Sequence, residues 1–224
     1  AKTPAAALLE NVDRLLKSPT SQRGRDFAVM LASLDELGYI VEWRDFAASD
    51  YGFPQRRKRA YILAHAPGTE GHAALTGGTS PNEWLESKGV LARAFPLQSL
   101  EASSAPLSFN LRANPDDNLA DITLAFKPGK GGLSRFERAG VMVGGMVWTT
   151  RVIPDYDGPS QNLEDVLVKP GKIDDEFIIK SSDMMREKGW IYLKGAKSEP
   201  RKGKDGFTYD YKEGPITFPD ALDR

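Results

Sequence analysis

A helical stripe followed by two apolar segments constrains the fold of this chain most strongly. Between residues 21 and 37, apolar side chains recur at spacings of three and four, which predicts one amphipathic helix, and Gly38 follows where a helix stop is expected. Residues 39–46 are rich in β-branched and aromatic side chains and residues 60–64 are wholly apolar, so both predict strands, the second buried on both faces. Helix, strand, loop and strand predict an α/β layer. The helical stripe consists of Phe27, Met30, Leu31, Leu34 and Leu37.

The opening of the chain fits two different elements. Its apolar side chains recur at helical spacing, whereas residues 5–9 can instead form a strand that ends at Glu10. Open α/β sheets build their sites just past the carboxyl ends of parallel strands, where an acidic residue is well placed. We therefore favour the strand. The helical alternative rests on Leu8, Leu9, Val12, Leu15 and Leu16.

Composition narrows the class of protein. The chain has 224 residues, 40% of them hydrophobic, which suffices for one large or two modest domains. The 30 basic residues are balanced by 31 acidic ones, so the chain has no overall positive charge. Any contact with nucleic acid must therefore come from local basic patches. No stretch approaches the roughly 18 apolar residues of a membrane span and no leader opens the chain, so we expect a cytoplasmic protein. With no cysteine, and with His65 and His72 as the only histidines, we expect no disulfide and no metal.

Glycine and proline mark a boundary after residue 66. They cluster between residues 67 and 81, a density typical of a domain seam. Residues 82–94 predict a helix capped by Asn82, whereas residues 101–121 show no clear period. Gly144-Gly145 between two apolar triplets predicts a hairpin. Short helices are expected at residues 163–167 and 184–188, and the glycine-rich run 126–132 is interpreted as a polar turn, with phosphate binding as a remote alternative.

Three short motifs follow one another in a fixed order between residues 10 and 59. They are Glu10-Asn11-Val12, residues 50–54 (Asp-Tyr-Gly-Phe-Pro) and Gln55-Arg56-Arg57-Lys58-Arg59, directly ahead of the apolar run. Each motif alone is weak, but their order and separation resemble the DNA cytosine-5 methyltransferase family. The resemblance is strong over residues 8–64. It continues through Phe136-x-x-Ala139-Gly140-x-Met142, Trp148-Thr149 and Pro154-x-Tyr156-x-Gly158-Pro159, which resemble the recognition region of a bacterial branch.

The resemblance implies a role for each motif residue. The family adds a cysteine thiolate to C6 of a cytosine swung out of the duplex, and a carboxylic acid beside N3 stabilises the resulting charge. Glu10 is expected to be that acid, with its pKa raised by burial. Arg59 is expected to contact the cytosine O2 and Arg57 to orient Glu10, while Asn11 and Gln55 support the site. Two further cations, Arg56 and Lys58, fall on alternate positions and are expected to face solvent or phosphate.

Two family elements are absent from this sequence. The cofactor loop Phe-x-Gly-x-Gly and the Pro-Cys nucleophile precede the Glu-Asn-Val element in the family, and only nine residues precede Glu10 here. The late motifs that complete the cofactor pocket are also missing before Arg224. We therefore expect a fragment of a larger enzyme, truncated at both ends and inactive alone. S-adenosylmethionine is implied as the methyl donor of the complete enzyme.

A basic, glycine-punctuated loop is predicted late in the chain. Residues 190–193 and 207–211 alternate like two strands, and residues 194–206 lie between them. Such a loop can approach a sugar-phosphate backbone closely, although a solvated surface loop explains the pattern equally well. The candidate DNA-contacting side chains are Lys197, Arg201, Lys202 and Lys204.

Together these features predict an α/β fold in three parts. Residues 1–70 are expected to be the C-terminal part of a Rossmann-like methyltransferase catalytic domain, 71–105 a connecting segment and 106–224 a mostly β target-recognition domain. The expected partners are double-stranded DNA and a cognate restriction endonuclease. One rival is a noncatalytic DNA-binding module that retains the recognition domain. Another is an unrelated α/β protein that binds a phosphorylated small molecule.

Overall fold

The structure, a computed structural model, describes most of the first three quarters of the chain and short strands beyond. Residues 1–166 form one compact unit and residues 167–224 a second, and each is treated by itself. Among the described residues, none of the helices has the length and apolar character that a membrane crossing requires. The described residues are 4–98, 106–114, 116–169, 172–173, 191–192, 198–202, 208–212 and 216–217.

The first unit is built on a six-stranded sheet with helices on both faces, which confirms the α/β prediction. Every neighbouring pair of strands runs antiparallel, in the order β1-β3-β2-β5-β6-β4. The strands are β1 (Ala6–Val12), β2 (Ile40–Ala47), β3 (Lys58–His65), β4 (Leu107–Asn110), β5 (Ala139–Val143) and β6 (Met146–Thr150). The helices are α1 (Arg25–Glu36), α2 (Glu70–Thr76), α3 (Pro81–Glu83), α4 (Val90–Ala94), α5 (Leu119–Ala125) and α6 (Leu163–Val166).

The ambiguous opening is a strand, as favoured, but our reason for it was wrong. Strand β1 pairs antiparallel with β3, and Glu10 lies within the strand instead of beyond a parallel strand's end. A single 3₁₀ turn, Asp13–Lys17, follows, and it buries Leu16. Leu15 and Leu16, the last two residues of the apparent helical pattern, therefore belong to this turn.

Helix α1 confirms the predicted amphipathic helix and covers one face of the sheet. Phe27 and Leu31 are fully buried there. The Phe27 ring meets Trp43 of β2 edge-on at a centroid distance of 5.2 Å, and Phe136 at 4.8 Å. Burying such a ring stabilises the fold by about 2 kcal/mol. Gly38 ends this region with a φ of +79°, a conformation that glycine adopts without steric cost.

Strand β2, not β3, is the strand buried along its whole length. All eight of its residues are buried, since it lies in the interior of the sheet order. In β3, Ala60, Ile62 and Ala64 are buried but Tyr61 and Leu63 are only half-buried. The prediction that residues 60–64 are buried on both faces was therefore partly wrong, because the edge strand β1 leaves the outer face of β3 less covered.

The segment between β3 and β4 covers the second face of the sheet. Its helix begins at Ser80, whose hydroxyl accepts a hydrogen bond from the Glu83 N–H, so Ser80 and not Asn82 is the cap. The predicted single helix is also interrupted, because a π-helical turn (Trp84–Lys88) and Gly89 separate α3 from α4.

The buried carboxylate of Glu42 connects α4 to the sheet through hydrogen bonds. Oε1 of Glu42 lies 2.9 Å from Nε2 of His65 and accepts a hydrogen bond from the Val90 N–H at 3.1 Å. Oε2 accepts one from the Leu91 N–H at 3.3 Å. Since the α4 amides lack helical partners at the amino terminus, Glu42 satisfies donors that burial would otherwise leave unpaired.

Residues 106–166 add three strands to the same sheet. The predicted hairpin is confirmed: Gly144 and Gly145 have φ of +55° and +76° and connect β5 to β6. Strand β4 and helix α5 were not predicted, although Asn118 caps α5 with hydrogen bonds from two backbone amides. Strands from both sides of residues 71–105 thus pair in one sheet, and the three-part division stays a prediction. Helix α6 confirms the short helix expected near residue 163.

The second unit contains two two-stranded sheets among its described residues. Strand β7 (Ile191–Tyr192) pairs with β10 (Ile216–Thr217), and β8 (Ser198–Lys202) pairs with β9 (Thr208–Lys212). Strands therefore occur where they were predicted. The continuous loop expected between them was wrong, since β8 occupies residues 198–202. The helix expected at residues 184–188 lies outside the described residues.

Candidate functional site

The structure brings together the predicted acid and one predicted arginine. In the register of β1 and β3, Glu10 is opposite Tyr61, and Arg59 precedes Tyr61 by two positions. Side chains alternate between the faces of a strand, so Glu10 and Arg59 are diagonal neighbours on one face. Nε of Arg59 lies 2.5 Å from Oε1 of Glu10.

An open pocket of about 310 Å³ surrounds this ion pair. Two aromatic rings form part of its wall: Phe46 and Tyr61 stack with centroids 4.8 Å apart and planes inclined by 18°. Neither ring was predicted, although strand alternation places both on the face of Arg59, since Phe46 is directly opposite Arg59 in the β2–β3 register. The pocket is lined by Glu10, Phe46, Ala48, Gln55, Arg57, Arg59 and Tyr61.

Glu10 is more exposed than the sequence led us to expect. Its side chain is 53% accessible, whereas that of Arg59 is 14% accessible. The predicted burial of Glu10 was therefore wrong for this chain, because β1 is an edge strand and no described element covers its outer face. On the same face Leu8 and Val12 are 65% and 44% accessible. An apolar surface thus flanks the pocket.

Some of the remaining motif residues line the pocket and others do not. Asn11 lies on the opposite face of β1, and its Oδ1 accepts a hydrogen bond from the Val12 N–H at 2.8 Å. Gln55 and Arg57 line the pocket and are exposed. The guanidinium that contacts Glu10 belongs to Arg59. We expected Arg57 to make this contact, and Arg59 lies two positions after it. Arg56 and Lys58 are exposed and do not line the pocket.

A tight turn presents Gln55 and Arg57 to the pocket. The 3₁₀ turn Ala48–Tyr51 follows β2, and Oδ2 of Asp50 accepts a hydrogen bond from the Ala47 N–H at 3.1 Å. The same carboxylate oxygen accepts one from Nη2 of Arg138, also at 3.1 Å. The Ser49 N–H donates to the Gln55 carbonyl at 2.8 Å, which closes the turn. Arg138 is a supporting residue that the motifs did not reveal.

The segment around Tyr156 packs against this turn. Gly52 has a φ of +84°, and a Cβ on it would lie 2.5 Å from the Pro159 carbonyl oxygen and 2.7 Å from Cε1 of Tyr156. The Tyr156 hydroxyl donates a hydrogen bond to the Pro159 carbonyl at 2.8 Å, and the Gln161 N–H donates to the Gly52 carbonyl at 2.7 Å. The Pro-x-Tyr-x-Gly-Pro motif therefore supports the turn that carries the pocket residues.

Comparison with known proteins assigns the chain to a family. Residues 1–107, which include every residue that lines it, match the family C-5 cytosine-specific DNA methylase. The chain belongs to that methylase family. No solved structure matches the chain.

The methylase relatives extend the match beyond the pocket. The Type II methyltransferase M.Sau3AI of Staphylococcus aureus is 37% identical over 221 residues, which are 98% of this chain and 49% of that protein. M.NlaIV of Neisseria lactamica is 37% identical over 103 residues, 44% of this chain and 23% of that protein. M.SsoII of Shigella sonnei is 47% identical over 62 residues, 28% of this chain and 16% of that protein. The chain spans about half the length of M.Sau3AI and less of the other two.

Burial shifts the pKa values of two groups on β2, next to the Glu10 pocket. Asp45, at the β2 end, is 8% accessible, and burial raises the pKa of its carboxyl group although Arg138 opposes the shift. Burial likewise lowers the pKa of the Arg44 guanidinium, which donates hydrogen bonds to the Phe95 and Leu85 carbonyls. Both groups belong to β2, the strand that carries Phe46.

The remaining predictions concern a metal site and four basic residues of the second unit. Within the described ranges no group of three or more acidic or histidine side chains could hold a metal ion. Of the four basic residues predicted to contact DNA, Arg201 and Lys202 belong to β8, where Arg201 is opposite Tyr209. Lys197 and Lys204 lie outside the described residues.

Proposed function

We propose that this chain supplies the target-base half of a DNA cytosine-5 methyltransferase. The complete enzyme would transfer a methyl group from S-adenosylmethionine to C5 of a cytosine flipped out of duplex DNA. The proposal is supported by the Glu10–Arg59 ion pair, which lies in a pocket whose lining residues all fall within the family match. Methylase family membership supports the reaction class.

The pocket chemistry suits the polar edge of cytosine. A carboxyl group and a guanidinium group on one face of the sheet can engage N3 and O2 of the base at once, with Glu10 at N3 and Arg59 at O2. The planar fork of Arg59 has enough donors to keep its contact with Glu10 while it donates to O2. The stacked rings of Phe46 and Tyr61 provide an aromatic wall, as flipped-base pockets require.

This chain does not supply the nucleophile, and its Glu10 pocket does not fit the cofactor. It contains no cysteine, so the thiolate that adds to C6 would come from another polypeptide segment. The Glu10 pocket does not fit S-adenosylmethionine, because the guanidinium groups of Arg57 and Arg59 would repel its cationic sulfonium. We derive no methyl-transfer step from these residues and expect the isolated chain to be inactive.

Base recognition can be tested without the missing chemistry. A fluorescein-labelled duplex with an unpaired cytosine opposite an abasic site presents a base that is already easy to extrude. We expect the chain to bind this duplex more tightly than the same duplex with an unpaired thymine. Glu10→Gln and Arg59→Ala should abolish that preference, whereas the exposed control Lys88→Gln should retain it. Equal affinity of the unmodified chain for both duplexes would contradict the proposal.

The rival function is a noncatalytic DNA-binding module that retains the recognition region. The two functions differ in the flanking sequence, where Pro-Cys and Phe-x-Gly-x-Gly would indicate the enzyme. If those flanks are present, the complete protein should form a covalent adduct with DNA that contains 5-fluorocytosine, and Glu10→Gln should abolish it. If the complete unmodified protein forms no such adduct, the noncatalytic module is favoured.

The wider setting of the proposal follows from the relatives. Several are named Type II methyltransferases, the methylating members of restriction-modification systems, so a cognate endonuclease and a cytoplasmic location are proposed for the complete protein. The basic residues Lys197, Arg201, Lys202 and Lys204 are proposed to contact the DNA backbone. Their joint replacement by alanine should flatten the salt dependence of duplex binding, and an unchanged slope would remove that contact from the proposal.

A further inference from the structure

A second pocket, far from Glu10 in the sequence, lies between β4 and α5. Its volume is about 280 Å³, and Leu111, Ile122 and Phe126 form an apolar wall. Lys127 and Arg135 contribute cations to the same lining. This combination of an apolar wall and two positive charges is not used by the proposed target-base site.

Arg135 is held at this pocket without an acidic partner. Its Cζ lies 3.8 Å from the centroid of the Phe109 ring, which fixes the guanidinium plane by a cation–π contact. Across the part of the chain that the structure describes, Arg135 makes no ion pair and donates no hydrogen bond. Burial lowers its pKa, and no acidic residue offsets that effect. By contrast, the half-buried Arg112 contacts both Asp35 and Glu36.

The glycine-rich run between the two cations has free space beside its backbone. The Gly129 N–H donates to the Leu133 carbonyl at 2.7 Å and the Gly132 N–H to the Gly129 carbonyl at 3.1 Å, so the run forms a closed turn. This confirms the polar turn predicted from sequence. Gly131 and Gly132 have φ of +68° and +72°, and a Cβ on either would meet no atom within 4 Å. A ligand can therefore approach this backbone closely.

The local charge favours an anion. Residues 122–136 contain no acidic side chain, and Lys130 adds a third cation between Lys127 and Arg135. The acidic residue in the pocket lining is Asp117, whose carboxylate accepts hydrogen bonds from the Asn114 backbone and amide at 2.8 and 3.1 Å. Asp117 is thus a hydrogen-bonded carboxylate, and the two cations in the pocket lining outnumber it.

We propose that Lys127 and Arg135 bind a phosphate group at this pocket, with the apolar wall receiving the sugar or base attached to it. A guanidinium fixed on an aromatic ring is a preorganised donor for phosphate oxygens. The phosphate can come from the DNA backbone, which rests on the proposed function, or from a free nucleotide, which does not.

The test uses two probes that distinguish these sources. A fluorescein-labelled duplex without unpaired bases is titrated by anisotropy, and adenosine monophosphate is titrated by calorimetry. Arg135→Gln and Lys127→Gln should each weaken binding of at least one probe about tenfold, as loss of a charge-assisted hydrogen bond implies. Lys88→Gln removes the same charge from an exposed site and should leave both affinities unchanged. Arg135→Lys should retain part of the affinity.

Each outcome decides the proposal. Weakening confined to the duplex assigns a backbone phosphate and should lower the salt slope by about one. Weakening confined to the nucleotide assigns a free phosphate ligand, even if the target-base proposal fails with the unpaired-cytosine duplex. The site is refuted if the unmodified chain binds neither probe, or if Arg135→Gln and Lys127→Gln bind both as tightly as Lys88→Gln. Near-ultraviolet circular dichroism of every variant verifies that the fold is intact.

Discussion

Arg59 and Glu10 form an ion pair because they are diagonal neighbours on antiparallel strands, with Nε and Oε1 2.5 Å apart. The pairing needs no long loop to place either side chain, since the β1–β3 register alone aligns them. A shift of that register by one residue would turn Glu10 to the opposite face of the sheet. The position of this ion pair therefore depends on the register of the sheet.

We expect Arg59→Ala to separate function from stability. Glu10 is half-exposed, and such ion pairs contribute about 0–1 kcal/mol, so the free energy of unfolding in urea should hardly change. The preference for unpaired cytosine should nevertheless disappear. Arg59→Lys keeps the charge but not the fork, and should retain only weak preference. A loss of stability well above 1 kcal/mol would show that Arg59 is mainly structural.

Gly52→Ala should disturb the turn that carries the pocket residues. The substitution adds a Cβ at a positive φ and against the Pro159 carbonyl, so it is strained in two ways. We expect a loss of about 2 kcal/mol or more in the free energy of unfolding, together with weaker cytosine preference. Gly68→Ala is the matched control, because it also has a positive φ but open space around its Cβ. Equal losses in both variants would exclude the steric contribution of Pro159.

Gly140→Ala tests why the recognition-region motif contains this glycine. A Cβ there would overlap the six-membered ring of Trp43, which packs across β5. Overpacking of this kind should lower the free energy of unfolding by about 1–3 kcal/mol. Adding Trp43→Phe should restore part of that loss, since the smaller ring vacates the space, and a double-mutant cycle in urea measures the coupling. Strictly additive effects would contradict the proposed contact.

Asp45→Asn should alter the pH dependence of stability. Burial raises the pKa of Asp45, so the folded protein binds its proton more strongly than the unfolded chain. The stability contributed by Asp45 is therefore present below about pH 4, the ordinary aspartate value, and is lost as the pH rises through the raised value. The variant should thus gain stability relative to the unmodified protein between acidic and neutral pH in urea titrations. The opposite trend would mean that attraction to Arg138 outweighs burial.

Local sequence patterns were sufficient to predict the elements whose whole pattern lies within one segment. The stripe of α1 and the glycine pair of the β5–β6 hairpin were predicted because each depends on neighbouring residues. Strand β4 and helix α5 were not, because their short apolar patterns gain meaning only when β6 and α1 pack against them. The cap at Ser80 was not predicted, although Pro81 directly follows it and proline is favoured in the first helical turn.

The sequence by itself determined the methylase family, the α/β class and four of the residues that line the pocket, because motif order and side-chain periodicity are carried by the chain. These four are Glu10, Gln55, Arg57 and Arg59. Only the tertiary structure decided that the sheet is antiparallel, that Arg59 and not Arg57 contacts Glu10, and that Phe46 and Tyr61 form a wall of the pocket. It also decided that Glu10 is half-exposed. These facts depend on strand order and register, which are set by the packing of distant segments against one another and not by any local pattern.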